Sequence, residues 1–279
     1  MTSFYKLSGA GNDFIALAGD ENLSEPTPES IRSWCRRGLS LGADGVIVLE
    51  RRGPGRALMR HWNADGGRSD LCLNGSRCAA RLAGELGWHD QGQVELDTDA
   101  GLLDCRLGKD ETVSIVLPAE LTKDLMERKE VRLETASGVT RGYFLKVGVP
   151  HLVVPLSGDA KAVADLEIAS LGPPLRAHPD LGPEGANVNF VSYLSRNRFV
   201  LRTWERGVEG ETLACGTGAV ASASVGEGLG LLDWPVTAST AGGFELEIGA
   251  RDSALALTGD ARLVARGELL PGSTALFRD

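Results

Sequence analysis

The chain has 279 residues, 29 basic against 38 acidic side chains for a net charge of −9, and 42% hydrophobic residues. This acidic balance lacks the basic footprint of a nucleic-acid binder, and no run of about 18 apolar residues is present to cross a membrane. The opening MTSFYKLSGAGNDF has no apolar core of the kind a signal peptide needs, so a cytoplasmic globular protein of one or two domains is expected.

In chain order, a helix is predicted over residues 30–39 and a strand over 45–50. A second helix is predicted over 75–86, where Ala79, Leu82, Ala83 and Leu86 share one face. Strands follow over 113–117, 142–147, 152–156, 189–193 and 199–204, separated by turn residues. A third helix, over 218–229, is built mostly of Ala, Ser and Gly. Such small side chains let other elements pack close, as inside a curved sheet. Glycine is abundant, at 36 residues, and marks many turns and close approaches. The mixture is α+β.

An internal repeat is visible. GADGVIVLE from Gly42 resembles GANVNFVSY from Gly185, and Cys72 and Cys215 stand apart by the same 143 residues. Two lobes are therefore expected, 1–118 with Cys72 and 119–261 with Cys215, with a ligand pocket in the cleft where they meet.

Five cysteines (Cys35, Cys72, Cys78, Cys105, Cys215) are too few for a disulfide framework in a chain of this length, and no C-x-x-C pair or His cluster suggests a metal. Cys72 and Cys215 each precede a Gly-containing turn and a helical run, which places them at helix N-termini. The helix dipole there favours a thiolate, and the following amides can cradle a carboxylate. Two such thiols facing one carbon could remove a proton from one side and deliver one to the other, the chemistry of a two-base racemase or epimerase. The competing reading is that both are buried, apolar-like cysteines.

The motifs SGAGNDFIAL (8–17), GADGVI (42–47), NADGGRSDLCLNGSRC (63–78), GVPH (148–151), NVNFV (187–191) and ERGVEGETLACGTGA (205–219) resemble the diaminopimelate epimerase family, in family order. The resemblance implies two pseudo-symmetric lobes, each a mostly antiparallel sheet or barrel around a central helix, with 262–279 returning to the first lobe. It implies cofactor-independent interconversion of LL- and meso-diaminopimelate, on the route to lysine and peptidoglycan. The substrate is then a small molecule, with no nucleic-acid or membrane partner, and a homodimer is expected. By motif, Cys72 and Cys215 become the base/acid pair, and His151 and Glu205 orient or tune the reacting groups. Asn12, Asn63, Asn187 and Arg206 become substrate contacts, the last three chiefly at the distal end. Leu73, Asn74, Gly216 and Thr217 become backbone donors to the reacting carboxylate.

Three positions depart from the family pattern: Leu73 stands where Gly is common, Val149 where Asn is common, and Gly45 where Gln is common. A left-handed backbone at Leu73 would be strained. Other residues have plainer readings. Cys35, Cys78 and Cys105 are structural, His61, His89 and His178 are ordinary, and Asp13 and Asp44 serve turns or caps. Asn63 could form an Asx turn before Asp65. Proline or hydroxyproline racemases and phenazine-type isomerases share the implied fold but fit the motifs less well. A thiol-redox protein or a non-catalytic amino-acid-binding module are the readings from other classes.

Overall fold

The computed structural model describes residues 2–20, 23–251 and 254–274. The chain folds as two compact units. Unit 1 comprises the residues up to Val116 and those from Gly259 onward; unit 2 is Leu117–Thr258. Of the expected returning segment 262–279, residues 275–279 lie outside the described set.

Unit 1 begins with the hairpin β1 (Thr2–Gly9) and β2 (Asn12–Gly19), then α1 (Pro28–Cys35), β3 (Gly45–Gly53), β4 (Arg56–Asn63) and the short β5 (Arg68–Ser69). The helix α2 (Leu73–Glu85) and strands β6 (Gln93–Thr98), β7 (Gly101–Leu107) and β8 (Thr112–Val116) follow. Unit 2 holds α3 (Ala119–Thr122), β9 (Lys129–Thr135), β10 (Gly138–Val147), β11 (Val149–Pro155), α4 (Ala160–Ala164) and α5 (Ile168–Arg176). It continues with β12 (Asn187–Ser195), β13 (Arg198–Glu205), β14 (Gly210–Thr212), α6 (Gly216–Gly228), β15 (Val236–Ser239) and β16 (Glu245–Arg251). β17 (Ala254–Asp260) crosses the boundary, and β18 (Arg262–Leu269) pairs antiparallel with β1 in unit 1.

The two units repeat one ladder. In unit 1, β1 to β4 pair in sequence, β4 then pairs with β6, β6 with β7 and β7 with β8. In unit 2, β10 to β13 pair in sequence, β13 then pairs with β15, β15 with β16 and β16 with β17. The parallel steps fall at the same places, β2–β3 and β4–β6 against β11–β12 and β13–β15. A parallel step needs a crossover connection. Helices supply it here: α1 between β2 and β3, α4 and α5 between β11 and β12.

Each sheet curves around one helix. α2 touches β1, β2, β3, β4, β6, β7, β8 and β18, and α6 touches β10, β11, β12, β13, β15 and β16. Burial explains the composition of α6: Gly218 through Gly226 are all buried, and a Cβ at Gly226 would stand 2.5 Å from Tyr193. Both helices stop the same way. Gly87 (φ 73°) and Gly230 (φ 67°) adopt the left-handed turn that glycine allows. Trp88 N donates to Ala83 O at 2.8 Å, and Leu231 N to Gly226 O at 2.8 Å. The wrap-back bonds cap carbonyls that the helix leaves open.

Outer apolar layers cover the parallel crossovers. Ile15, Leu17, Val46 and Val48 pack with Ile31 and Trp34 of α1; Leu152, Val154, Val188 and Phe190 pack with Ile168 and Leu175 of α5. Strand alternation then turns the intervening residues, Phe14, His151, Asn187 and Asn189 among them, towards the central helices.

The first helix is shorter than the 30–39 expected. Thr27 caps it, accepting Ser30 N at 3.2 Å, and Pro28 occupies the first turn. It ends at Cys35 because Arg36 is extended (ψ 107°) and Gly38 is left-handed (φ 80°), while Leu39 and Leu41 are exposed and give a longer helix no face to bury.

Candidate active site

In unit 1 the site is assembled at the start of α2. Cys72 is its N-cap, with φ −138° and ψ 106°, and its Sγ accepts Gly75 N at 3.4 Å. Leu73 is the first helical residue, buried and in helical rather than left-handed conformation. The departure from Gly therefore costs no backbone strain, and the Leu73 amide keeps its place in the opening turn. Asn74 Nδ2 donates to Asn12 Oδ1 at 2.7 Å, and Asn12 Nδ2 donates to Asp44 Oδ2 at 3.1 Å. Behind them, Arg77 Nη2 donates to Asn74 Oδ1 at 2.7 Å.

Asn12 is held by an unusual turn. Ala10 (φ 48°) and Gly11 (φ 89°) are both left-handed, the geometry of a two-residue hairpin connection between β1 and β2. Alanine pays a steric penalty there. A hydrogen bond from Ala10 N to Asp260 Oδ1 at 2.8 Å helps hold it.

Asp44 and Asp13 do more than cap turns. Arg37 bonds both, at 2.8 Å to Asp44, and Lys6 approaches Asp13 at 2.6 Å. Burial would raise the Asp13 pKa, but the hydrogen bonds from Arg37 and Lys6 hold it below the usual carboxylate range. Asn63 ends β4 opposite Gly45, and Ala64 N donates to Asp44 O at 3.0 Å, so Asn63 lies beside the Asn12 cluster with its side chain exposed. The Asx turn there is made by Asp65, whose Oδ1 accepts Gly67 N at 2.7 Å. At Gly45 an added Cβ would stand 2.6 Å from Trp62 O and 2.7 Å from His61 Nε2. His61 thus fills the space a side chain at 45 would need.

In unit 2, Cys215 occupies the equivalent N-cap, with φ −121° and ψ 109°, and its Sγ lies 3.6 Å from Thr217 Oγ1. Gly216 and Thr217 form the opening turn. The first amides of a helix have no acceptor within it and carry the positive end of its dipole. Both helix starts can therefore present N–H groups to a carboxylate.

His151 on β11 is fully buried, opposite Asn187 in the parallel ladder. Burial, reinforced by the nearby Arg206 charge, pulls its pKa down to about 3, so the ring is neutral. Asn189 Nδ2 lies 3.2 Å from His151 Nδ1, and Thr203 Oγ1 donates to Asn189 Oδ1 at 3.0 Å. Gly218 makes room for this amide: a Cβ there would stand 2.2 Å from Asn189 Oδ1. Asn187 Oδ1 accepts Arg206 N at 2.8 Å, and the Arg206 guanidinium lies 3.5 Å from Glu184. Burial raises the Glu205 pKa, opposed by the Thr212 hydroxyl.

Within unit 1, then, Cys72, Leu73, Asn74, Asn12 and Asn63 fall together, and within unit 2 His151, Asn187 and Arg206 form one linked group. Sequence reasoning missed Asp44, Arg77, Asn189 and Thr203 as site-building residues. Asn189 had a readable signal, a polar residue two positions after Asn187 in an otherwise apolar strand. Arg77 had a weaker one, a cation followed by the small buried run Cys78-Ala79-Ala80. Among the described residues no group of three His, Cys, Asp or Glu side chains could hold a metal, and no helix is long and apolar enough to cross a membrane.

Comparison with known proteins places this geometry among relatives. The family model described as diaminopimelate epimerase matches residues 4–121 and 143–264. A diaminopimelate epimerase of Gemmatimonas aurantiaca is 36% identical over 96% of this chain and 99% of that relative. Among solved structures, a hydroxyproline epimerase from Agrobacterium vitis with bound trans-4-hydroxy-L-proline is similar at a TM-score of 0.67 and 15% identity, covering 99% of this chain and 95% of that one. A phenazine biosynthesis protein from Enterococcus faecalis is similar at 0.67 and 17%, covering 96% and 99%. At those identities the likeness concerns the fold.

Proposed function

The chain belongs to the diaminopimelate epimerase family and is an isomerase of that class, and from this premise we propose a two-base mechanism in which Cys72 and Cys215 interconvert LL- and meso-2,6-diaminopimelate without a cofactor. One observation carries the proposal: each unit places a cysteine as the N-cap of its central helix, at matching positions of a repeated ladder.

One thiolate takes the α-proton as the Cα–H bond breaks, and the electron pair moves towards the carboxylate. The thiol of the other cysteine gives its proton to the opposite face of the same carbon. The two sulfurs exchange protonation states, and no electron is gained or lost. The reaction requires both helix starts to meet one substrate carboxylate. The amides of Leu73, Asn74, Gly216 and Thr217 would stabilise the charge that grows there, where preorganised donors act most strongly. Asn12, held by Asn74 and Asp44, would fix the reacting end. Asn63, Asn187 and Arg206 would hold the distal amino-acid end, with Arg206 suited to a carboxylate. His151 and Glu205 would orient the reacting groups.

Proton NMR of the protein with LL-diaminopimelate in D2O, without added cofactor, tests this. Deuterium at the α position together with the meso isomer is the expected result. A Cys215→Ala chain should lose that conversion while still binding substrate; full conversion by that variant would refute the two-base reading.

A further inference from the structure

Arg77 is the largest side chain sealed inside the protein, with no exposed surface. It lies on α2, and its guanidinium makes two hydrogen bonds that both lead to Asn12. By one route, Nη2 donates to Asn74 Oδ1 at 2.7 Å, and Asn74 Nδ2 donates to Asn12 Oδ1 at 2.7 Å. By the other, Nε donates to Asp260 O at 3.4 Å, and Asp260 Oδ1 accepts from the amide of Ala10 at 2.8 Å. The two routes close a ring around the left-handed turn of Ala10 and Gly11 that delivers Asn12. Every member of the ring belongs to unit 1.

From Asn12 the bonds run on. Asn12 Nδ2 donates to Asp44 Oδ2 at 3.1 Å, and the exposed Arg37 donates to Asp44 Oδ1 at 2.8 Å. A guanidinium has donors and no acceptor, and an ionised carboxylate has acceptors and no donor. A carboxamide has an oxygen at one corner and an NH2 group at the other. With Arg77 at one end and Asp44 at the other, both amides are satisfied in one orientation only. Flipping either would set donor against donor on one side and oxygen against oxygen on the other. Bonds in such a chain also polarise one another. The chain uses one of the two Asn12 side-chain hydrogens, and its direction fixes where the other points.

The arrangement is costly. A guanidinium keeps its charge, and burying a charge is unfavourable. The central helix does not require it. Two and five residues after Cys72 stand Asn74 and Arg77, whereas two and five residues after Cys215 stand Thr217 and the buried Val220. The helix of unit 2 is thus enclosed by its sheet with no cation at that position.

We propose that Arg77 and Asp44 are positioning residues, the two ends of a hydrogen-bond relay that holds the Asn12 carboxamide in one orientation, so that it meets substrate with an N–H in a fixed place. The inference deepens the proposed function and rests on it for the contact between Asn12 and substrate. Neither end of the relay needs to touch substrate, and Arg37 braces Asp44 from outside.

Two readouts test it. The first needs no substrate: exchange of the Asn12 side-chain amide with water, followed by nitrogen-15 NMR. Arg77→Met removes the donor end at similar length, and Asp44→Asn removes the acceptor-only end at similar size. Each should speed Asn12 exchange by about tenfold, the loss of one ordinary hydrogen bond. Arg77→Lys keeps a donor for Asn74 and should retain slow exchange. The second readout is a double-mutant cycle on kcat/KM with diaminopimelate. Asn12→Ala, Arg77→Met and Asp44→Asn should each lower it by about tenfold or more. Adding either of the last two to Asn12→Ala should cost less than about twofold further, since residues that act through one group are not additive. Full additivity overturns the proposal, because a merely structural Arg77 or Asp44 would harm the site by other routes. So does unchanged Asn12 exchange in either variant with native circular dichroism. If Arg77→Met does not fold, Asp44→Asn decides by the same two readouts. Faster Asn12 exchange in the variants, with no turnover of diaminopimelate by the unaltered chain, would uphold the relay and refute the epimerase reading, so the two failures are told apart.

Discussion

Asn189 Nδ2 approaches His151 Nδ1 at 3.2 Å, inside the fully buried face of two parallel strands. An amide nitrogen can only donate, so a hydrogen bond here requires Nδ1 as acceptor and the ring proton on Nε2, an atom buried without a partner among the described residues. Thr203 fixes the amide from the other side by donating to Asn189 Oδ1. Asn189 and Thr203 together therefore favour one His151 tautomer, and neither needs to touch substrate to do so. Asn189→Asp replaces the donor by an acceptor and should reverse the tautomer. Turnover is expected to fall at least about tenfold, within the range of a displaced acid–base group, and nitrogen-15 NMR of the imidazole would read the exchange directly.

Glycines at matching helical positions have unequal freedom. At Gly218 a Cβ would meet Asn189 Oδ1 at 2.2 Å, whereas at Gly75 the nearest atoms are ordinary contacts at 3.4 to 3.5 Å. Gly75→Ala should then be tolerated or stabilise α2 by up to about 1 kcal/mol through helix propensity. Gly218→Ala should displace the Asn189 amide, lower the melting temperature, and reduce turnover. Thermal melts and rates of the two variants side by side would check the contrast, and equal behaviour would contradict it.

Glu205 illustrates a site that costs stability. Its folded pKa is raised by burial. Such a carboxyl is unpenalised below its unfolded pKa, loses stability as pH rises through the folded value, and carries the full penalty above it. Glu205→Gln should therefore raise the melting temperature at pH 7 to 8, give no gain at pH 4, and lose activity throughout. Denaturation curves at the two pH values, with an activity assay beside them, would show whether function and stability trade in this way.

Buried neutral histidines should make the fold acid-sensitive. His151 and His61 have folded pKa values of about 3 and about 4, far below the ordinary 6.5. The unfolded chain takes up these protons first as pH falls, so stability drops between pH 6.5 and those lower values, by about 1.4 kcal/mol per pH unit for each histidine. Both ring nitrogens of His61 are buried and without partners among the described residues. His61→Leu should consequently shed one histidine's share of this slope without unfolding the protein. Urea titrations at pH 7, 6 and 5 measure it, and an unchanged slope would refute the assignment.

The cysteine pair and its neighbours are legible in the sequence because they sit in turns, where Gly, Asn and Cys stand out from the apolar pattern. The helix of Ala, Ser and Gly is legible as an enclosed one for the same reason: small side chains declare close packing. Boundaries are less so. Leu39 and Leu41 complete a helical spacing that carries α1 past Cys35, yet both are exposed and the backbone has already turned away. The early hairpin of β1 and β2 and the strands from β14 onward leave no clear mark although most pair with sequence neighbours, because their short runs mix apolar residues with Gly, Thr and charged side chains. Arg77 and Asn189 escape notice because periodicity treats a polar residue as pointing to solvent. Their burial follows from tertiary partners, Asn74 and Asp260 for one, His151 and Thr203 for the other.

Strand β1, near the start of the chain, is paired with β18, within the last twenty residues of it. Unit 2, by contrast, is one uninterrupted stretch from Leu117 to Thr258. A ribosome adding about 5 to 20 residues per second has therefore delivered every strand that unit 2 needs while β1 still has an open edge. Asp260, which accepts Ala10 N, likewise follows the last residue of unit 2, so the half bearing Cys72 is completed last although most of it is made first.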